Sequence, residues 1–523
     1  MIATREKTRP IDRNILSSTR TVALLISVAS AVALTAAFPK LDWAWIAPLA
    51  MAGLFWSWFV TPARTAFWIG LLSGSLFFTI MYSWFGVTAA SLVGPYGFVT
   101  VLGPAVGDAL AFAFAGAFAS LVYSRAPGLL GAFAGAAAFA VAEWLRSVGM
   151  LGVPFAQIGY SQASSIFAPL AAYGGSIFVT FIVGAIGAVI ASYIINRTRA
   201  AQTLGALAGI ALVTLAAFIF WPARHAAPAT IPVSAIQGNI RQQTKWDPQS
   251  FLLALSRYIE LTQATQASHP VFVLWPETVI TAAIGDDNGL APKDVPAAQQ
   301  VRNRFGELAH SLNATIAVGS LQLSTDGLHN ALYFFAPNGM LDEIYRKRQL
   351  VPFAEWIPVG SSLLAWFPYL DQMGRQVPGR EPSVIPAGPL EVAPLICWES
   401  AFSDVVHDQL VRGASLLAIS TDDGWFGESA GPYQHAQIAQ IRAIESGRWV
   451  LRAAATGISG IIAPDGRWTQ RSNLDEQVVV SGFVGPPAPT LFATIGPWNV
   501  AYALFGFYVL ALIIGRRWSN VSR

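Results

Sequence analysis

Val271-Phe272-Val273-Leu274-Trp275-Pro276-Glu277 is an apolar run that stops at a proline and is followed at once by a carboxylate. Its β-branched and aromatic residues read as a buried strand. Proline has no N–H for the ladder, so the chain turns there and Glu277 is presented at the sheet edge. Comparable runs recur on both sides, at 231–237, 314–323, 330–335, 341–345, 390–397, 414–420, 450–455, 460–463 and 477–484. Helical patterns lie between them at 247–267, 297–312, 401–411 and 432–447. Strands mixed with helices at this spacing predict sheets covered by helices.

Outward from this segment the composition changes. Residues 222–494 hold 18 Lys/Arg and 24 Asp/Glu, a net charge of −6, whereas residues 22–194 hold only seven charged residues. The whole chain is 54% hydrophobic and 12% charged, against about 25% charged in soluble domains. Disordered, fibrous and wholly soluble classes are excluded. The basic pI comes from the apolar part and its flanks, and no dense basic patch supports a nucleic-acid partner.

Crossing a bilayer takes roughly 20 apolar residues in a helix. Candidates before Pro222 are 20–38, 43–60, 65–86, 97–124, 127–146, 168–194 and 202–221; an eighth is 495–515. The first is read as a retained anchor, since six more follow. The expected organisation is a seven-span bundle over 1–221, an extramembrane α/β domain over 222–494, and a last span with a tail over 495–523. Twelve Lys/Arg fall at the N-terminus, the C-terminus and alternate loops, while the opposite short loops hold only Lys40, Arg146 and Arg224. By the positive-inside rule both termini are cytoplasmic and 222–494 lies outside, in the periplasm of a double-membrane bacterium. Asp108 and Glu143 sit in apolar stretches, where carboxylates are costly. A hydrogen-bonded packing role is expected for Asp108; for Glu143 it stands level with a role in a cavity.

Three polar residues fall at strand ends: Glu277, Lys347 in Tyr345-Arg346-Lys347-Arg348, and Cys397, the chain's one cysteine. A single cysteine excludes an intramolecular disulfide and a Cys-based metal site. Together the three side chains would make an acyl-transfer site. The carboxylate takes the thiol proton, the thiolate attacks a carbonyl, and the ammonium stabilises the oxyanion. Separation along the chain leaves open whether they meet.

Val273-Leu274-Trp275-Pro276-Glu277, Tyr345-x-Lys347-x-x-Leu350-Val351-Pro352-Phe353-x-Glu355 and Ile396-Cys397-x-Glu399, in this order, resemble the nitrilase (carbon–nitrogen hydrolase) superfamily. Gln237-Gly238-Asn239 with Lys245-Trp246-Asp247, Glu143-Trp144-Leu145-Arg146, Gly159-Tyr160-Ser161-Gln162, Trp425-Phe426-Gly427, Gly431-Pro432 and Gln434-His435 resemble its membrane-bound branch, the bacterial apolipoprotein N-acyltransferases. The resemblance implies an eight-span helical bundle joined to a nitrilase-like αββα sandwich. It implies Glu277 as general base, Lys347 as oxyanion stabiliser, Cys397 as nucleophile, and Glu355 and Glu399 as auxiliary carboxylates. It implies an acyl chain passed from a phospholipid to Cys397, then to the α-amine of a lipoprotein's diacylglyceryl-cysteine, with no metal or dissociable cofactor. Trp398 stands where Tyr is usual, Ala354 where Gly is usual, and Asp422-Asp423-Gly424 where Asn-Asp-Ala is usual.

Phe353 to Tyr369 carries Trp356, Leu363, Leu364, Trp366 and Phe367. Either it is a lid dipping into the bilayer interface, where Trp and Tyr are favoured, or a small amphipathic helix packed on the domain. Trp246, Trp398, Trp425 and Phe426 are the further aromatics expected to contact substrate. Rival readings are a membrane-tethered hydrolase using the same triad, and a non-enzymatic scaffold or transporter.

Overall fold

The computed structural model describes residues 13–242, 244–285, 295–357 and 376–521. Eight helices fill the N-terminal part: α1 (Arg13–Thr35), α2 (Ile46–Phe59), α3 (Ala63–Met81), α4 (Ser83–Val93), α5 (Leu102–Arg125), α6 (Leu129–Leu145), α7 (Ala171–Ile195) and α8 (Ala200–Ile219). A last helix, Leu491–Val521, follows the strands and packs on α6 and α7. Among the described residues, six helical stretches are long and apolar enough to cross a bilayer: Ser18–Thr35, Ala63–Met81, Pro95–Arg125, Ala168–Ile195, Ala200–His225 and Leu491–Arg517. The expected spans at 43–60 and 127–146 form shorter apolar helices of 14 and 17 residues, about 21 and 26 Å at 1.5 Å per residue. Helix α4 was not expected.

The bundle is built inside out relative to a soluble protein. Ala and Gly on α6 are buried against α5 and α7, while Leu72, Phe114, Phe118, Leu212 and Phe505 are exposed. Small residues let helix backbones approach where hydrophobicity alone gives no drive to associate. The two carboxylates of the apolar helices, Asp108 and Glu143, are both paired. Asp108 Oδ2 accepts from Arg146 Nη1 at 3.0 Å and from the Tyr82 hydroxyl at 2.5 Å. Glu143 accepts from Ile158 N and the Thr180 hydroxyl, each at 3.0 Å. The packing reading therefore holds for both. Arg146, counted among loop charges, is instead buried in this pair.

The strands form two sheets. The first runs β13 (Val478–Val484), β1 (Ile231–Gln237), β2 (Phe272–Leu274), β4 (Thr315–Ser324), β5 (Gly327–Phe335), β6 (Leu341–Arg346), with β3 (Ile280–Gly285) also paired to β4. The second runs β12 (Trp468–Arg471), β11 (Gly460–Ile462), β10 (Trp449–Ala454), β9 (Leu416–Thr421), β8 (Leu390–Ile396), β7 (Ile385–Ala387). The expected strands form; β3, β7 and β12 had no prediction. β7 has three residues and β12 is mostly exposed and polar, so neither carries an apolar run.

Side-chain alternation explains the layering. Phe272, Leu274, Ala317, Leu332 and Phe334 of the first sheet meet Val392, Ile396, Leu416, Ala418 and Leu451 of the second. Val273, Ile316, Val318 and Tyr333 point the other way, onto the helices Pro248–Gln263 and Val295–Leu312. Leu395, Leu417, Ile419 and Val450 point outward from the second sheet, onto the helices Ser403–Leu410 and Gly431–Ser446. This last layer shares one apolar core with the N-terminal helices. The result is an αββα sandwich seated by one helical face on the bundle.

Candidate active site

Glu277, Lys347 and Cys397 follow the carboxyl ends of β2, β6 and β8, the usual place for a site in an α/β sheet. All three are buried. The approach of Glu277 depends on Gly319: a Cβ there would lie 2.1 Å from Pro276 O and 2.9 Å from Glu277 Cα. Cys397 has φ +51°, a left-handed conformation that costs an L-residue of order 1–2 kcal/mol. The Ser400 hydroxyl donates to Cys397 O at 2.8 Å and lies 2.9 Å from His435 Nε2. His435 Nδ1 is 2.8 Å from Asp423 Oδ1, and Asp423 Oδ2 is 2.6 Å from Arg452 Nη2. A buried chain of polar groups thus clamps the strained cysteine from below.

Lys347 Nζ donates to Glu277 Oε1 at 2.9 Å and to Glu355 Oε1 at 2.8 Å. Asn330 Nδ2 bridges the same two carboxylates, at 2.7 Å to Glu277 and 3.3 Å to Glu355. Asp422 N donates to Glu277 Oε2 at 3.0 Å, so each base oxygen is held. Glu399 ties two strand ends together. It accepts from Ile396 N at 2.7 Å on one side, and from Arg348 N at 2.6 Å and the Tyr345 hydroxyl at 2.9 Å on the other. The sequence reading missed Asn330, Ser400 and Arg452. A polar Asn330 inside the apolar strand Gly327–Phe335 was the signal available for the first.

The electrostatics leave a thiol facing a carboxylate. Burial pushes the Cys397 thiol well up; the Glu277 charge adds to this and Lys347 only partly opposes it. Burial also raises Glu277, but Lys347 and the hydrogen bonds outweigh it and hold the carboxyl below its usual range. Lys347, depressed by burial, is carried well above its usual value by Glu277, Glu355 and Cys397. The neutral thiol therefore needs a base, the ionised carboxylate is one, and the ammonium is in place for an oxyanion.

The aromatic expectations divide. Trp398 is buried and stacks on Phe155 of the bundle, ring centroids 5.2 Å apart. Its indole N–H has no partner among the described residues. Phe426 is buried against Trp84 at 4.7 Å. Trp246 and Trp425 are exposed, 53% and 40%. Trp356 is half-buried, and its backbone O accepts from Phe353 N. Leu363, Leu364, Trp366, Phe367 and Tyr369, on which the lid expectation rests, lie outside the described residues.

Comparison with known proteins places both halves of the chain. The carbon–nitrogen hydrolase family matches residues 232–482, and the apolipoprotein N-acyltransferase N-terminal domain family matches residues 30–189. The apolipoprotein N-acyltransferase of Methylococcus capsulatus is 30% identical, over 96% of this chain and 97% of its own. That of Haemophilus ducreyi is 30% identical over 96% and 99%, and that of Pseudomonas paraeruginosa 31% over 94% and 96%. Among solved structures, an amidase from Nesterenkonia sp. AN1 aligns with TM-score 0.40 at 17% identity, over 53% of this chain and 97% of that one. Matched along nearly its whole length to relatives of one kind, and carrying a helical bundle fused to a sheet sandwich with a buried Cys, Glu and Lys, the chain belongs to the apolipoprotein N-acyltransferase family.

Proposed function

We propose that this acyltransferase moves an acyl chain from a phospholipid to the N-terminal diacylglyceryl-cysteine of an apolipoprotein, through a thioester on Cys397. The observation that carries the reading is the convergence of Glu277, Lys347 and Cys397 in one buried site against the bundle. Glu277 takes the Sγ proton, and the thiolate attacks the ester carbonyl. Lys347 stabilises the oxyanion. Collapse expels the lysophospholipid alkoxide, which takes the proton back from Glu277. In the second half the lipoprotein α-amine attacks the thioester, gives its proton to Glu277, and leaves as the amide, while the thiolate is reprotonated. Glu355 holds Lys347, and Glu399 joins the strand ends that carry Lys347 and Cys397. The exposed aromatics Trp246 and Trp425 line the lipid approach.

In this reading residues 1–221 and 495–523 form an eight-span bundle in the bacterial inner membrane, α2 and α6 included. Residues 222–494 are the periplasmic catalytic domain, and both termini are cytoplasmic. The short loops rich in Lys and Arg support that orientation. Two lipid-anchored substrates give a membrane bundle a purpose that a soluble amidase would lack.

Intact-protein mass spectrometry tests the chemistry. Wild type incubated with phospholipid alone gains one acyl mass, removed by neutral hydroxylamine; Cys397→Ala gains none. A diacylglyceryl peptide then discharges the adduct as an N-acyl product. Discharge to free fatty acid alone would establish a hydrolase instead.

A further inference from the structure

A second lysine stands on the far side of the base. Lys245, in the loop after β1, is buried, with its side chain 4% exposed. Its Nζ lies 2.5 Å from Asp422 Oδ2 and donates to Glu277 O at 3.3 Å. Asp422, after β9, is the residue whose N–H holds Glu277 Oε2. Its other carboxylate oxygen accepts from Gly424 N at 3.1 Å, closing the turn that presents that N–H. One ion pair therefore touches the base loop from one end and orients the base carboxylate from the other. We infer that Lys245 and Asp422 are a positioning pair that sets the basicity of Glu277, a task separate from the oxyanion work of Lys347.

The geometry separates the two lysines. Lys347 bonds the Glu277 carboxylate itself and is shared with Glu355. Lys245 reaches only the backbone oxygen of Glu277, so it acts on the carboxylate through space. Its charge faces Glu277 and is opposed by the adjoining charge of Asp422. Both partners are buried, so neither charge is screened as a surface pair would be. The other charged and titratable groups around the base and its pair include Lys347 after β6 with Glu355 behind it, Cys397 after β8, Asp423 beside Asp422, and Tyr258 of the helix Pro248–Gln263, which faces Asp422.

Opposite ends of the pair have opposite signs. Glu277 works ionised, so acylation rises with pH through its titration. Lys245→Met removes a cation that favours the carboxylate and leaves Asp422 facing it, so the acid limb moves to higher pH. Asp422→Asn keeps the backbone N–H but leaves Lys245 unopposed, so the limb moves to lower pH. Shifts of about one pH unit are expected for a charge at this range. The double variant returns the limb towards wild type. A purely structural pair would slow both single variants without moving their limbs apart.

The experiment measures the rate of Cys397 acyl-adduct formation by mass spectrometry from pH 2.5 to 9, a range that reaches below the depressed carboxyl of Glu277, on full-length enzyme in detergent with phospholipid alone. Opposed shifts in the single variants, cancelled in the double, support the inference. Shifts in the same sense, or none, in variants that still form adduct overturn it. If Lys245→Met does not fold, Lys245→Arg takes its place: an unmoved limb there beside a lowered limb in Asp422→Asn supports the inference, and any other result overturns it. The inference rests on Glu277 being the base. Failure of wild type to form a Cys397 adduct, or an unimpaired Glu277→Gln, would sink that reading and is distinct from limbs that do not separate.

Discussion

At the residue scale, the site owes its resting state to pairs rather than to single groups. Asn330 touches both Glu277 and Glu355 from one amide. Asn330→Leu keeps the size, removes one of the three donors that hold the base carboxylate, and should slow adduct formation up to about 10²-fold, since small misplacements near a reacting group cost that much; single-turnover mass spectrometry reads it directly. Asp423 is a different case. Burial raises its carboxyl, but Arg452 and His435 outweigh burial and bring it to about 2. A depressed folded value contributes stability that is complete above the ordinary value near 4 and lost as pH falls towards 2. Asp423→Asn leaves Arg452 buried without its carboxylate and should cost about 3–5 kcal/mol, read as a lower thermal midpoint at pH 7 that converges on wild type in acid.

At the element scale, the closeness of β4 to the turn after β2 sets where the base stands. Gly319→Ala would push Pro276 and Glu277 away, because its Cβ would overlap Pro276 O. The expected result is a loss of acylation at least about 10-fold beyond what its fall in thermal midpoint explains. Equal losses in stability and activity would argue that the strand merely fails to fold. Helix α7 shows the same logic in the bundle. Gly175 breaks it with φ +69°, and the freed Ser176 N–H is taken by Glu445 of the helix Gly431–Ser446 at 2.5 Å. Glu445 also pairs with Arg442, which donates to the Tyr160 hydroxyl at 2.6 Å. The sandwich thus caps a broken helix of the bundle.

At the scale of the whole molecule, one polar cluster links bundle and site. Arg146 pairs with Asp108 and donates to Val153 O at 2.6 Å and Phe155 O at 3.0 Å. Phe155 in turn packs on Trp398, Phe426 and His435. Arg146→Met removes every one of these donors and leaves Asp108 buried without its cation, held by the Tyr82 hydroxyl. It should raise the KM for phospholipid several-fold and cost about 3–5 kcal/mol of stability, as for a broken buried pair, read as a lower thermal midpoint. A variant with unchanged KM would show that the Phe155 loop is held by packing alone.

The strand and helix runs of the sandwich and the apolar stretches of the bundle were legible because periodicity is a local property: Phe272/Leu274 and Val273/Trp275 alternate whatever surrounds them; the αββα class came from the family resemblance. Glu277, Lys347 and Cys397 stood out because each ends such a run. Three things were not legible. Strands β7 and β12 form through pairing with neighbours rather than through an apolar pattern of their own, and β3, though apolar, pairs with β4 through an irregular register. The lengths of α2 and α6 depend on where turns close the chain, and hydropathy does not record that. Lys245, Asn330, Ser400 and Arg452 lie from 3 to 177 positions from the partners they serve. Their pairing follows from how the two sheets bring β5 and β10 and the ends of β1, β8 and β9 to one place. The order of residues by itself determined which segments would be apolar, which would be strands and which side chains had reactive chemistry. Only the tertiary structure decided which charges met, because an ion pair depends on distance in space and on exclusion of water, and neither is written in spacing along the chain.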